Sequence, residues 1–112
     1  MATTTELMSS EFLSLCEGGD VSLVTEYVQH HHLDVNSGED VDGNTGLMLA
    51  TRDNRLEVAQ YLLSLPPTDV NKVNKFGYSA LMLAAQHGNL QLLDLSLNQV
   101  DFHTELLVLV KM

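Results

Sequence analysis

The sequence predicts an all-α solenoid of stacked helix-turn-helix units joined by β-hairpin-like turns. Three observations lead there. The chain repeats itself with a period near 34 residues. Turn residues and short apolar helical segments alternate in the same order within each period. The apolar fraction (AVILMFWYC) is 45 % with only 18 % charged residues, enough for a packed core. Periods of this length mark stacked repeats, in which no unit buries its apolar side alone.

The repetition is clearest when residues 43–63 (GNTGLMLATRDNRLEVAQYLL) are laid over residues 77–97 (GYSALMLAAQHGNLQLLDLSL), where seven of 21 positions are identical. At a second register Asp34-Val35-Asn36 recurs as Asp69-Val70-Asn71, and weakly as Asp101-Phe102-His103. In each unit Thr45 or Ser79 is placed to cap a first helix, its hydroxyl accepting an otherwise orphaned N–H. The helix itself is Leu47-Met48-Leu49-Ala50, or Leu81-Met82-Leu83-Ala84-Ala85. Its small residues allow a neighbour to approach closely. Asn54 and Gly88, both tolerant of left-handed backbone, stop it. A second helix follows over 56–64 or 90–98, with Leu56, Val58, Ala59, Leu62 and Leu63 at helical spacing. Pro66-Pro67 and the Asp-Val-Asn stretches form turns. Residues 10–36 read as a divergent copy. Phe12, Leu13, Leu15 and Cys16 belong to its first helix, Gly18-Gly19 break it, and Asp20 caps a second helix that buries Val21, Val24, Tyr27 and Val28.

These strings resemble ankyrin repeats. The family pattern runs DxxGxTPLHxAAxxGHLEVVxxLL, followed by a loop ending in ADVN. From Asp40 this chain has DVDGNTGLMLATRDNRLEVAQYLL, and from Asn74 it has NKFGYSALMLAAQHGNLQLL. The likeness covers roughly residues 10–101 and places a divergent repeat at 10–39 and further repeats at 40–73 and 74–103. Residues 1–9 are then a flexible N-terminus and 104–112 an atypical C-terminal tail. The chain also departs from the pattern. The family proline is Gly46 or Ala80, and glycine at a helical position costs about 1 kcal/mol, so the middle repeat should be softened. The family histidine is Met48 or Met82. Ser96 stands at a usually apolar position. The tail TELLVLVKM starts no further repeat and supplies no polar cap. A fragment of a longer protein, or an end covered by a partner, is therefore expected.

Charge narrows the function. The net charge is −10, and residues 1–51 hold nine acids with no Lys or Arg. Such a surface repels nucleic acid and anionic membranes and favours encounter with a basic partner; the alternative is that the acids are ordinary solubilising surface residues. No apolar run approaches the roughly 18–20 residues of a membrane span. A lone Cys16 excludes an internal disulfide framework, and flanked by Phe12, Leu13 and Leu15 it reads as a buried structural thiol. His30-His31-His32 is poor metal geometry, because adjacent helical side chains diverge. No phosphate-binding loop, nucleophile elbow or zinc-protease motif occurs. The expectation is a non-enzymatic module with no cofactor, no metal, no catalytic residue and no small-molecule substrate, in the cytoplasm or also the nucleus.

The resemblance implies that another protein is bound through hairpin tips and the exposed side of the inner helices. The matching positions are Val41, Asp42, Asn44, Arg52 and Asp53 in one repeat. In the next they are Lys75, Phe76, Tyr78, Gln86 and His87, and the first unit adds Glu17 and Gly18. Phe76 and Tyr78 are also notable on their own, as aromatics in a turn. They either anchor a partner or pack on the next hairpin. The resemblance further implies that Asn71, and less closely Asn36, could accept asparaginyl hydroxylation; the alternative is that both are ordinary turn asparagines. Two alternatives stay open: a small ankyrin-type inhibitor of another protein, or an N-terminal regulatory fragment of a larger ankyrin-containing enzyme or channel.

Overall fold

The computed structural model describes residues 4–36, 39–65, 68–89 and 91. Among them it forms five α-helices: α1 (Thr4–Gly18), α2 (Val21–His31), α3 (Gly46–Arg52), α4 (Leu56–Ser64) and α5 (Ala80–Gln86). Helices α3 and α5 begin 34 residues apart, at the expected register. Helix α3 lies between α1 and α5, and α4 packs on α2. The inner helices α1, α3 and α5 thus form one row and α2 and α4 a second, outer row. The second helix expected at 90–98 (apart from residue 91), Ser96, the Asp101-Phe102-His103 echo, Pro66-Pro67 and the tail at 104–112 fall outside the described residues. Helix α1 starts at Thr4, six residues ahead of the boundary expected for the first unit.

Local chemistry starts and stops each helix. The Thr45 hydroxyl accepts from the Met48 N–H at 3.3 Å, and the Ser79 hydroxyl accepts from Met82 at 3.2 Å. Asp20 accepts from the N–H groups of Ser22 and Leu23. Each cap satisfies a first-turn donor that has no intrahelical partner. Asn54 (φ 57°) and Gly88 (φ 69°) adopt the left-handed conformation just past the ends of α3 and α5. Helix α4 has Arg55 at its N-cap with no side-chain cap, so it depends on packing for its stability.

The core runs between the rows and down the inner one. Phe12, Cys16, Val24, Met48, Leu49, Val58 and Leu62 are all essentially inaccessible to solvent. The inner helices approach so closely that a Cβ on Gly46 would lie 2.6 Å from the Phe12 ring and 2.9 Å from Cys16 Sγ. Residues one and two periods on from Phe12 are Gly46 and Ala80, and from Cys16 they are Ala50 and Ala84. The first layer therefore carries the bulk that the second leaves out. This gives Gly46 a packing reason: it costs helix propensity but makes room for Phe12.

Hydrogen bonds between layers keep the same period. Arg55 Nε donates to the Glu17 carbonyl at 2.7 Å, and 34 residues later Asn89 Nδ2 donates to the Thr51 carbonyl at 2.6 Å. Lys72 Nζ reaches the Asn36 carbonyl (2.8 Å) and Glu39 (2.7 Å), and the Asp69 N–H reaches Asn36 Oδ1. A single antiparallel bridge, Val73 with Ser79, is the hairpin element among the described residues.

Candidate functional site

Each hairpin turn is closed by two backbone hydrogen bonds and organised by one side-chain acceptor. Asp40 Oδ1 accepts from the N–H groups of Asp42 (2.9 Å) and Asn44 (2.8 Å). One period on, Asn74 Oδ1 accepts from Phe76 (2.9 Å) and Tyr78 (3.0 Å). A short side chain that hydrogen-bonds N–H groups two and four residues ahead folds the chain back on itself. The second turn is then tied to the first. The Lys75 N–H donates to the Asp42 carbonyl (3.0 Å), Lys75 Nζ donates to the Val41 carbonyl (2.7 Å), and Asn74 Nδ2 donates to Asn44 Oδ1 (2.9 Å).

This framework sorts the residues expected at the surface. Val41 is 84 % exposed and Phe76 66 % exposed, projecting from successive tips with Asp42 and Lys75 beside them. Tyr78 instead packs, half-buried, against the core. Asn44 is a correction: at 5 % exposure it presents nothing to solvent. Its amide is spent on Asp40 and Asn74, as a strut between turns.

At the other end of the inner helices, Gln86 and His87 are exposed at the end of α5, and Arg52 and Asp53 are half-exposed at the end of α3. Arg52 and Asp53 form a two-point pair, Nε to Oδ1 at 2.9 Å and Nη2 to Oδ2 at 3.1 Å. The hydrogen bond from Arg52 holds the Asp53 carboxyl below its usual range, and the Asp53 bond pushes the guanidinium upward. Their charges thus offset one another before any partner arrives.

The remaining reactive side chains are placed as follows. Burial, and secondarily the charge of Glu17, push the Cys16 thiol up to about 12, so the nucleophilic thiolate is strongly disfavoured. His30 and His31 occupy the last turn of α2, with the His31 ring 4.3 Å from that of Tyr27, and His32 is the left-handed C-cap. Among the described residues no group of three or more His, Cys, Asp or Glu is arranged to hold a metal ion. No helix among them is long and apolar enough to cross a membrane. Asn71 is exposed in its turn, where its N–H meets Asp69 Oδ1 at 3.0 Å. Asn36 is half-buried and takes the Asp69 N–H at 2.6 Å.

The comparison with known proteins agrees with this geometry. A family model for ankyrin repeats, three copies, matches residues 12–105. The chain belongs to the ankyrin repeat family. Over 59 residues it is also 46 % identical to the human photoreceptor ankyrin repeat protein. That match spans 53 % of this chain and 13 % of the relative. Ankyrin repeats are generally protein–protein interaction modules, and the family is typically non-enzymatic.

The sequence did not point to a groove between α1 and the first turn. It lies along Ser10, Leu13, Ser14 and Glu17 on one side and Glu39, Asp40 and Val41 on the other, with a volume of about 490 Å³. The available signal was the 34-residue offset: Ser14 stands where the later repeats carry Met48 and Met82.

Proposed function

We propose that the chain is a non-enzymatic module that binds another protein through its hairpin tips and the adjoining exposed ends of the inner helices. Support comes from the pairing of exposure with rigidity at Val41 and Phe76. Both are large apolar side chains held in the open. The turns that carry them are fixed by Asp40 and Asn74 and joined through Lys75. A preformed apolar contact costs little ordering entropy on binding, and aromatic anchors dominate interface energetics. Asp42 and Lys75 at its edge set orientation more than affinity.

Affinity capture from cell extract tests the reading, with wild type compared against Phe76→Ala and Val41→Ala. Both positions lie outside the core, so melting should be unchanged. A partner held by wild type and weakened by more than about 1 kcal/mol in the variants supports the reading. Undiminished capture by both variants refutes it.

A further inference from the structure

The groove between α1 and the first hairpin has a counterpart one layer on, and the two differ in an informative way. Adding 34 to Ser10, Ser14 and Glu17 gives Asn44, Met48 and Thr51, all of them buried. There Asn74 Nδ2 closes on Asn44 Oδ1 at 2.9 Å. In the first layer the corresponding pair is Asp40, whose carboxylate side chain has no N–H to donate, and Ser10, which is small. The unbranched apolar chain of Met48 is replaced by Ser14, and Thr51 by the exposed Glu17. What is filled in the second layer is an open groove of about 490 Å³ in the first, with Leu13 and Val41 among its walls and Glu17, Glu39 and Asp40 along it.

We infer that this groove receives a lysine or arginine side chain from a basic segment of the partner protein, its aliphatic stem taking the space that Met48 fills one layer on and its cationic head meeting the exposed carboxylate of Glu17. Long basic side chains bury a methylene stem while the charged end stays among polar groups. The same turns already take ammonium groups of this chain, Lys72 Nζ on Glu39 and the Asn36 carbonyl, and Lys75 Nζ on the Val41 carbonyl. Lys72 holds Glu39, and the Asp42 and Asn44 amides hold the Asp40 carboxylate, so the incoming head group is directed to Glu17. The inference rests on the reading of the hairpin and inner-helix face as a binding surface, and names the partner chemistry at one end of it.

The test is fluorescence anisotropy of the full chain with a labelled arginine-rich peptide, against the same peptide with glutamate for arginine. Ser14→Met is the deciding variant, because it fills the groove without changing charge at an exposed position. Glu17→Gln is the second, and Glu26→Gln on α2 the control for the overall negative field. Circular dichroism confirms that each variant keeps its fold. The expected result is salt-sensitive binding of the arginine peptide alone, weakened about tenfold by Ser14→Met and Glu17→Gln and less than twofold by Glu26→Gln. Equal binding by wild type and Ser14→Met, or equal loss in all three variants, overturns the groove. Absence of arginine-peptide binding also overturns it. Those results leave the tip reading standing for as long as Phe76→Ala still loses a captured partner.

Discussion

Replacing Gly46 by alanine should destabilise the protein, although alanine is the better helix former. The added Cβ would meet Phe12 Cε2 at 2.6 Å, Cys16 Sγ at 2.9 Å and Phe12 Cζ at 3.0 Å. Those atoms belong to side chains with no exposure to solvent, so they cannot swing into open space. Forcing a methyl into a filled core typically costs about 1–3 kcal/mol. The helix-propensity gain is about 0.5–1 kcal/mol, and a first-turn position should give the low end of it. Overpacking therefore wins by about 0.5–2.5 kcal/mol. For a domain of this size each kcal/mol moves the midpoint by roughly 4–8 °C. Thermal and urea unfolding followed by circular dichroism measure this directly. Gly18→Ala is the built-in contrast, since nothing lies within 4 Å of a Cβ there and a gain of about 0.4–1 kcal/mol is expected. Combining Phe12→Leu with Gly46→Ala should cost less than the sum of the single changes, because the smaller side chain yields the contested space. If Gly46→Ala raises the midpoint as Gly18→Ala does, the close approach of α1 and α3 is wrong.

Three further outcomes are expected. Asn74→Ala should cost about 1–3 kcal/mol in urea unfolding, because it removes the acceptor that shapes the second turn and deprives the buried Asn44 of a donor; an unchanged midpoint would show that the turns are held by something else. Alkaline titration should reveal Cys16. The unfolded thiol ionises near 8.5 and the folded one at about 12, so above the unfolded value the native state holds more protons and stability falls by about 1.4 kcal/mol per pH unit. Cys16→Ala should flatten that slope between about pH 9 and 11, and equal slopes would deny the burial of the thiol. Incubation with an asparaginyl hydroxylase, read by tandem mass spectrometry, should add one oxygen at Asn71 before Asn36, because Asn36 is half-buried and its amide oxygen is engaged by Asp69; the reverse order would refute this.

Much of the fold was legible because repetition exposes it. The caps at Thr45, Ser79 and Asp20 and the stops at Asn54 and Gly88 follow from local chemistry within a few residues, and the Thr45/Ser79 caps and the Asn54/Gly88 stops recur where the period puts them, whereas the Asp20 cap has no counterpart at α4. Contacts between layers were harder to read. The meaning of Gly46 lay in Phe12, 34 residues earlier, so glycine read as a weak helix former and not as a clearance. Position in the repeat places Asn44 at the surface, yet the side chain is buried and its amide bonds Asp40 and Asn74. Phe76 and Tyr78 are two residues apart and one turn geometry sends them to opposite fates. The groove is hidden in the sequence because the first unit is divergent, and only the fold shows Ser10, Ser14 and Glu17 standing where the next layer has Asn44, Met48 and Thr51.

Among the described residues, the bonds between layers named above share a direction. Arg55, Asp69, Lys72, Asn74, Lys75 and Asn89 all donate, and Glu17, Asn36, Glu39, Val41, Asp42, Asn44 and Thr51, all earlier in the chain, accept. During synthesis the N-terminal part emerges first. It would offer the solvent bare oxygen acceptors, which water satisfies readily, and each new layer would arrive with the protons that complete the one before. The solenoid thus has a polarity suited to being built in the order in which the ribosome delivers it.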